Sequence, residues 1–346
     1  MSGPMVVVYG AGSIGAYVGG CLLSQRVDVI LIGRSRMRER INQFGLQLSD
    51  LRGQQLTVPR ERIVYVEAEQ AVQYALAAAD LVIVAVKSGA TDAVGQMLFR
   101  HLKPGAMVVS LQNGMGNARL LRDSLPEHRV FAGMVPFNVV QLPDGRLHRA
   151  TAGDIMVEQD EGWKRWLPVF ESAGLRLVQR GDFRRVQWGK LLLNLNNAVN
   201  ALSDLPLREQ LMQRDYREVL ALLITEALRT LDAAGIKPVR VGRVAPGRLP
   251  RLLRLPNVLF RVVAAGMLRM DPEARSSMWE DLEAGRLTEI EQLNGAIVRL
   301  AKRHGVEVPC NEAIVALVHA AEVGGQRNWP AQRLRYAMQA AIARTR

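Results

Sequence analysis

Three groups of residues have types and spacings suited to chemistry. The first is Gly10-Ala-Gly12-Ser13-Ile14-Gly15, a G-x-G-x-x-G run between a β-branched stretch and a helical one. There the first glycine permits a tight turn, the second lets a pyrophosphate approach the backbone, and the third lets helix and sheet pack closely. Ser13 and Ile14 open the helix, whose N-terminus offers free N–H groups and partial positive charge to phosphates. The second group follows later strands: Arg34-Ser35-Arg36, Lys87, and the loop Gln112-Asn113-Gly114-Met115-Gly116. The third is Lys190 with Asn194 and Asn197, which lie within roughly 60° of one another on an ideal helix. A lysine and two amides on one face beside Leu191–Leu193 need partners, so this face is a candidate active site.

The end of the second strand decides which dinucleotide is expected. An NAD site usually carries Asp or Glu there, to bind the ribose hydroxyls. This sequence has Gly33-Arg34-Ser35-Arg36, and no carboxylate follows until Glu39. Arg34 can clamp a 2′-phosphate by charge-assisted bonds, which predicts NADP(H). The alternative is that these arginines are only an exposed helix start. Lys87 and Asn113 fall at the carboxyl edge of the predicted sheet, where ligands of such folds bind, and the loop's amides and glycines suit a nicotinamide.

These residues need a particular scaffold. Buried strands are predicted at Met5–Tyr9, Val27–Ile32, Leu81–Val86 and Met107–Leu111, with shorter ones near 46–48, 56–58 and 63–66. Alternation with helices predicts an α/β Rossmann-type, doubly wound sheet. From Val135 to Glu158 the short runs and the Pro143-Asp-Gly145 turn predict a meander, followed by a helix at 163–173 and a strand at 175–178. Beyond Asp182 the period is helical over 183–202, 206–234, 274–304 and 310–323, which predicts an all-helical C-terminal domain. The expected domains are 1–180, binding NADP, and 181–346, carrying substrate and catalysis.

Composition narrows the class further. The 346 residues carry a net charge of +12, from 45 Lys+Arg against 33 Asp+Glu. The arginines are spread along the chain, with a concentration from Arg240 to Arg261, and no aromatics interleave with them as stacking platforms. No nucleic-acid partner is therefore expected. Cys21 and Cys310 are isolated in apolar helical contexts, predicting buried thiols rather than a disulfide or metal site. The apolar stretch from Leu252 is broken by Arg254, Pro256 and Arg261, so no membrane partner is expected. With no basic leader before the first strand, the expected location is the cytoplasm.

The sequence resembles the ketopantoate reductase (2-dehydropantoate 2-reductase) family. The resemblance rests on Gly10-x-Gly12-x-x-Gly15, Val86-Lys87, Gln112-Asn113-Gly114-Met115-Gly116, Lys190 with Asn194, Ser276-Ser277-Met278, Thr288-Glu289-Ile290 and Asn294-Gly295, in family order. It implies NADPH-dependent reduction of a 2-keto acid, most simply 2-dehydropantoate to pantoate. It also implies Lys190 as the general acid and Glu289 as the group orienting lysine, substrate hydroxyl and cofactor. Ser277 would take the substrate carboxylate, and Asn194 and Asn197 its polar groups; Lys87 and Asn113 would sit against nicotinamide and substrate. The roles are chemically coherent, since hydride arriving at a ketone leaves negative charge on oxygen that a lysine ammonium can neutralise.

Two positions depart from the family pattern: Ala198 and Ala274 stand where the family typically has Asn. The segment from Lys237 to Met270 is longer than in compact members and could wall a substrate cleft, form an oligomer contact or be an inert insertion. The expected partners are a small 2-keto acid and a second copy of the chain, as a homodimer. The rival readings are a β-hydroxyacid dehydrogenase-like enzyme on another small acid, or a non-catalytic NADPH sensor.

Overall fold

Val6, Val7 and Val8 are fully buried, and the strand they form sits inside an eight-stranded sheet. The computed structural model describes residues 3–67, 69–242, 244–266 and 271–345. By internal contacts the chain divides into two units, Met1–Phe183 and Arg184–Arg346. The first contains β1 (Met5–Tyr9), α1 (Ser13–Ser24), β2 (Asp28–Ile32), α2 (Ser35–Phe44), β3 (Leu46–Asp50), β4 (Gln55–Val58) and β5 (Val64–Val66). It continues with α3 (Glu69–Ala78), β6 (Leu81–Val84), α4 (Thr91–His101), β7 (Met107–Ser110), α5 (Asn117–Ser124) and β8 (Arg129–Met134). Then come β9 (Val139–Gln141), β10 (Leu147–Arg149), β11 (Ile155–Glu158), α6 (Leu167–Ser172) and β12 (Leu177–Arg180).

The sheet order is β12-β11-β8-β7-β6-β1-β2-β5. From β5 through β8 every pairing is parallel, and β11 closes antiparallel on β8. Apolar clusters lie on both faces, which is why β6 and β7 are continuous apolar runs with no alternation. This is the Rossmann-type sheet that the strand–helix alternation implies.

The stretch predicted as a meander is different. Its strands do not all pair in succession: β9 and β10 join β3 and β4 in a separate four-stranded sheet, while β11 returns to β8 in the larger one. The Pro143–Gly145 turn does close the β9–β10 hairpin, through Leu142 N–H to the Arg146 carbonyl at 2.9 Å. Short strands of similar composition carry no local signal of their partner, and here the choice is tertiary.

Among the described residues, the elements of the second unit are all helices: α7 (Phe183–Asn194, beginning at the boundary), α8 (Asn196–Ser203), α9 (Leu207–Met212), α10 (Arg214–Ala233), α11 (Leu249–Leu253), α12 (Asn257–Val263), α13 (Ser277–Glu283), α14 (Asn294–Arg303), α15 (Pro309–Glu322) and α16 (Ala331–Arg344). Three expected long helices are interrupted, at Leu195, at Gln213 and over 284–293, and α16 lies beyond the predicted helical spans. None of these helices is long and apolar enough to cross a membrane.

Much of the long Arg/Pro-rich segment is tied to its neighbours, although Arg243 and residues 267–270 lie outside the described residues. Val239 N–H donates to the Arg185 carbonyl at 3.0 Å, and Arg185 Nε donates to the Lys237 carbonyl at 2.7 Å. Arg217 of α10 is fully buried; it donates to the carbonyls of Leu253 and Leu255 and to Asn257 Oδ1, and lies over the Phe260 ring. A buried guanidinium needs such partners, and they anchor α11 and α12 to α10.

Candidate functional site

The glycine fingerprint performs three distinct tasks in the first unit. Gly10 has φ of 111°, and a Cβ there would lie 2.5 Å from Val86 N, so this glycine lets the β1 turn press against the end of β6. A Cβ on Gly15 would fall 2.1 Å from the Gly10 carbonyl oxygen, which seats α1 on the strand. Nothing lies within 4 Å of the Cβ position at Gly12, so the turn is open above it. Gly12 is the N-cap of α1, Ser13 and Ile14 follow partly exposed, and no side chain caps the helix or places an acid in its first turn. A phosphate-binding cradle requires open space beside unengaged N–H groups, and this geometry fits one.

The neighbouring strands bring the other predicted cofactor residues to the same edge. Gly10 and Ala11 N–H groups both donate to the Ile32 carbonyl, joining the fingerprint to the end of β2. Arg34 is the exposed N-cap of α2, and its carbonyl accepts the Tyr65 hydroxyl at 2.9 Å. That contact explains Gly33, where a Cβ would lie 2.1 Å from the Tyr65 hydroxyl. Glu67, just past β5, is paired with Arg38 at 3.6 Å. Lys87 is exposed after β6, and Asn113 is partly exposed in the loop after β7.

A buried polar chain holds this last loop. Ser110 Oγ donates to Gln112 Oε1, Gln112 Nε2 to Thr91 Oγ1, and Thr91 Oγ1 to Asn117 Oδ1. Asn117 Nδ2 then donates to Ser88 Oγ at 3.0 Å and to the Asn113 carbonyl at 2.8 Å. Gly114 and Gly116 take φ values of 80° and 98°, the left-handed region that favours glycine. The loop is therefore pinned by its backbone. Thr91, Ser88 and Asn117 were not singled out from sequence; their polar types at buried positions of the α4 and α5 starts were the available signal.

In the second unit, Lys190 lies on α7 directly after Gly189, whose Cβ position is 2.0 Å from the Val239 carbonyl oxygen. Only glycine lets segment 237–241 lie so close to the lysine. Burial of the ammonium lowers the Lys190 pKa to about 8, against the opposing pull of the Glu289 carboxylate. The two residues are thus electrostatically coupled. Glu289 is 7% exposed and stands in the turn between α13 and α14, inside the span 274–304 whose period predicted helix. Its carbonyl accepts the Gln292 and Leu293 N–H groups at 3.1 and 3.2 Å, turning the chain into α14.

Asn194 ends α7 and Asn197 is the second residue of α8, with Leu195, the N-cap of α8, still in right-handed helical conformation. Ser277 is the first residue of α13, capped by Ser276, whose hydroxyl accepts the Trp279 N–H at 3.2 Å. Ser276 also donates through Oγ to the Asn197 carbonyl and through N–H to Asn200 Oδ1. Asn200, fully buried, donates its own amide to the Leu205 carbonyl at 2.9 Å. These bonds dock α13 on α8 and set Ser277 beside Asn197.

The polar residues divide into two sets. Asn117, Asn196, Asn200 and Ser276 are engaged by other groups of the protein. Asn113, Asn194, Asn197 and Ser277 are all partly exposed, and their side chains make no hydrogen bond to another described residue. Of the two departures, Ala198 is fully buried, whereas Ala274 is partly exposed with its carbonyl accepting the Leu207 N–H.

Both units of the chain are similar to known proteins. The family model described as Ketopantoate reductase PanE/ApbA matches residues 6–162, and its C-terminal counterpart matches residues 182–322. The 2-dehydropantoate 2-reductase of Halobacterium salinarum is 30% identical over 328 residues, covering 92% of this chain and 99% of that protein. A solved PanE/ApbA family ketopantoate reductase from Ralstonia eutropha is 30% identical, with a TM-score of 0.75 over 92% of this chain and 98% of that one. The 2-dehydropantoate 2-reductase from Geobacter metallireducens is 25% identical, with a TM-score of 0.74 over 92% and 99%. With both units matched in order and a relative spanned almost end to end, this chain belongs to the ketopantoate reductase family of oxidoreductases.

Proposed function

We propose that the protein reduces 2-dehydropantoate to pantoate with NADPH, using Lys190 as general acid. The observation that carries this reading is the division of polar groups. The four side chains expected to bind substrate are open, while their polar neighbours are engaged in structure. A protein that used these amides only for packing would satisfy them internally.

In this reading the glycine turn and α1 take the pyrophosphate, Arg34 the 2′-phosphate, and Lys87 and Asn113 flank the nicotinamide. Bound NADPH would supply the hydride to the keto carbon. Ser277 holds the substrate carboxylate, and Asn194 and Asn197 its oxygen functions. As the carbonyl oxygen gains charge, the Lys190 ammonium donates its proton to that oxygen and is left as the neutral amine. Solvent then returns a proton to it. A pKa of about 8 suits this cycle, because the lysine is mainly charged near neutrality yet releases its proton readily. Glu289 opposes the desolvation of Lys190 and so keeps it charged and oriented.

Ala198 and Ala274 favour a second reading in which the mechanism is the same and the substrate is another 2-keto acid. NADPH oxidation by purified protein, measured with 2-dehydropantoate and a panel of related keto acids, separates the two. Turnover selective for 2-dehydropantoate upholds the proposal, another preferred acid moves the substrate, and NADPH binding without turnover on any of them removes the catalytic assignment.

A further inference from the structure

The turn that carries Glu289 is held from below by groups to which no function has been attached. Glu322, at the end of α15 with a side chain only 6% exposed, accepts both the Thr288 N–H and the Thr288 hydroxyl through Oε1, each at 2.7 Å. Thr288 Oγ1 accepts the Ile290 N–H at 3.2 Å, so threonine brackets Glu289 on both sides. The other Glu322 oxygen lies 2.9 Å from His319 Nδ1, and His319 Nε2 lies 2.9 Å from Glu291 Oε1. Glu291 is held in turn by Arg299, which donates to its carboxylate and to its carbonyl. Gly295 leaves room for this, since a Cβ there would fall 2.5 Å from Glu291 Oε2.

An ionised carboxylate only accepts hydrogen bonds, and a neutral imidazole has one N–H. Neutral histidine can therefore satisfy one of these contacts and leaves the other as lone pair against lone pair. Both are satisfied only by the imidazolium. We propose that His319, as an imidazolium bridging Glu291 and Glu322, is a positioning residue that locks the Thr288–Ile290 turn and thereby holds Glu289 in place for Lys190. This rests on the assignment of Glu289 above.

The charges acting on His319 are those of Glu291 and Glu322, with Arg299 reaching it through Glu291. Their hydrogen bonds raise the His319 pKa, Glu291 first, over the opposing effect of burial. For both carboxyls burial acts upward, but the His319 bonds and the other partners leave them lowered. The bridge is thus complete below the ordinary histidine pKa and is lost as pH rises through the raised one. At the acid end it is lost as pH falls through the lowered carboxyl values.

The first test is an NMR titration of the imidazole C2 proton in the full chain. His319 should titrate above the free value of about 6.5, and H319A should be used to assign the signal. A midpoint below the free value overturns the proposal. The second test is kcat and KM of H319A and E322Q against pH, with folding checked by circular dichroism. We expect kcat to fall about tenfold, since small misplacements of catalytic groups cost that much or more, with the KM for NADPH unchanged. H319A should also lack the decline that wild type shows as His319 deprotonates. Unaltered kcat and pH profile in both variants, with the alkaline limb of E289Q moved to lower pH, overturn the positioning role. An E289Q profile identical to wild type instead overturns the reading of Glu289 itself.

Discussion

Replacing Glu289 by glutamine should move the alkaline limb of the reduction rate to lower pH. The reason lies in the two opposing influences on Lys190: burial lowers its pKa to about 8, and Glu289 pulls it back up. With the acid form required, the wild-type kcat/KM should be roughly half its maximum near pH 8 and fall about tenfold per unit above it. A nearby opposite charge is worth on the order of 1–3 pKa units. Taking the lower figure, the variant's limb falls near pH 7, so its rate drops about fivefold relative to wild type at pH 8 and hardly at all at pH 6. The assay is NADPH oxidation with 2-dehydropantoate from about pH 6 to about pH 10, the range that brackets the titration. Any loss of positioning adds a pH-independent factor, which the ratio of the two profiles separates. A flat ratio, or a limb displaced upward, would refute the electrostatic reasoning. The same shift acts on stability with a definite sign. The unfolded chain binds the lysine proton more tightly than the folded one, so stability at this residue should rise with pH from about 8 toward the ordinary lysine value of 10.5.

Four further substitutions probe separate parts of the structure. Arg34→Ala should weaken NADPH about 10- to 100-fold and leave NADH nearly unchanged, because a charged hydrogen bond is worth about 1.5–3 kcal/mol. Fluorescence titration with both cofactors decides it, and equal losses assign the 2′-phosphate elsewhere. Asn200→Ala removes bonds to Leu205 and Ser276 and should cost about 2–4 kcal/mol in urea unfolding. Ser277→Ala should leave stability unaltered and raise the keto-acid KM about tenfold, and the reverse pattern would contradict the division of polar groups. Gly189→Ala places a Cβ 2.0 Å from the Val239 carbonyl oxygen; about 1–3 kcal/mol of destabilisation is expected, with a lowered kcat because Lys190 is adjacent.

Local signals were sufficient where each residue's task depends on its immediate neighbours in the chain. The β-branched run at Val6–Val8, the fingerprint from Gly10 to Gly15 and the absence of a carboxylate after Ile32 all report on backbone and charge within a few residues. They marked the glycine turn and the sheet without any knowledge of packing. The spacing of Lys190 and Asn194 likewise needed only the helical period. What the chain could not disclose locally was the partner of each element. The runs at 139–141 and 147–149 look alike whether they form a meander or join β3, because pairing depends on surfaces far away in sequence. The burial of Glu289 was hidden for the same reason. Its setting has a helical period, yet Thr288 bonding to Glu322, thirty-four residues later, makes it a turn. Only tertiary structure separates Asn200, buried and bonded to Ser276, from Asn197, left open on the same stretch. The sequence determined which residue types stand at which spacings; the fold decided which of several identical amides are left open and which are buried and bonded, because burial and hydrogen-bond partners are properties of the packed chain.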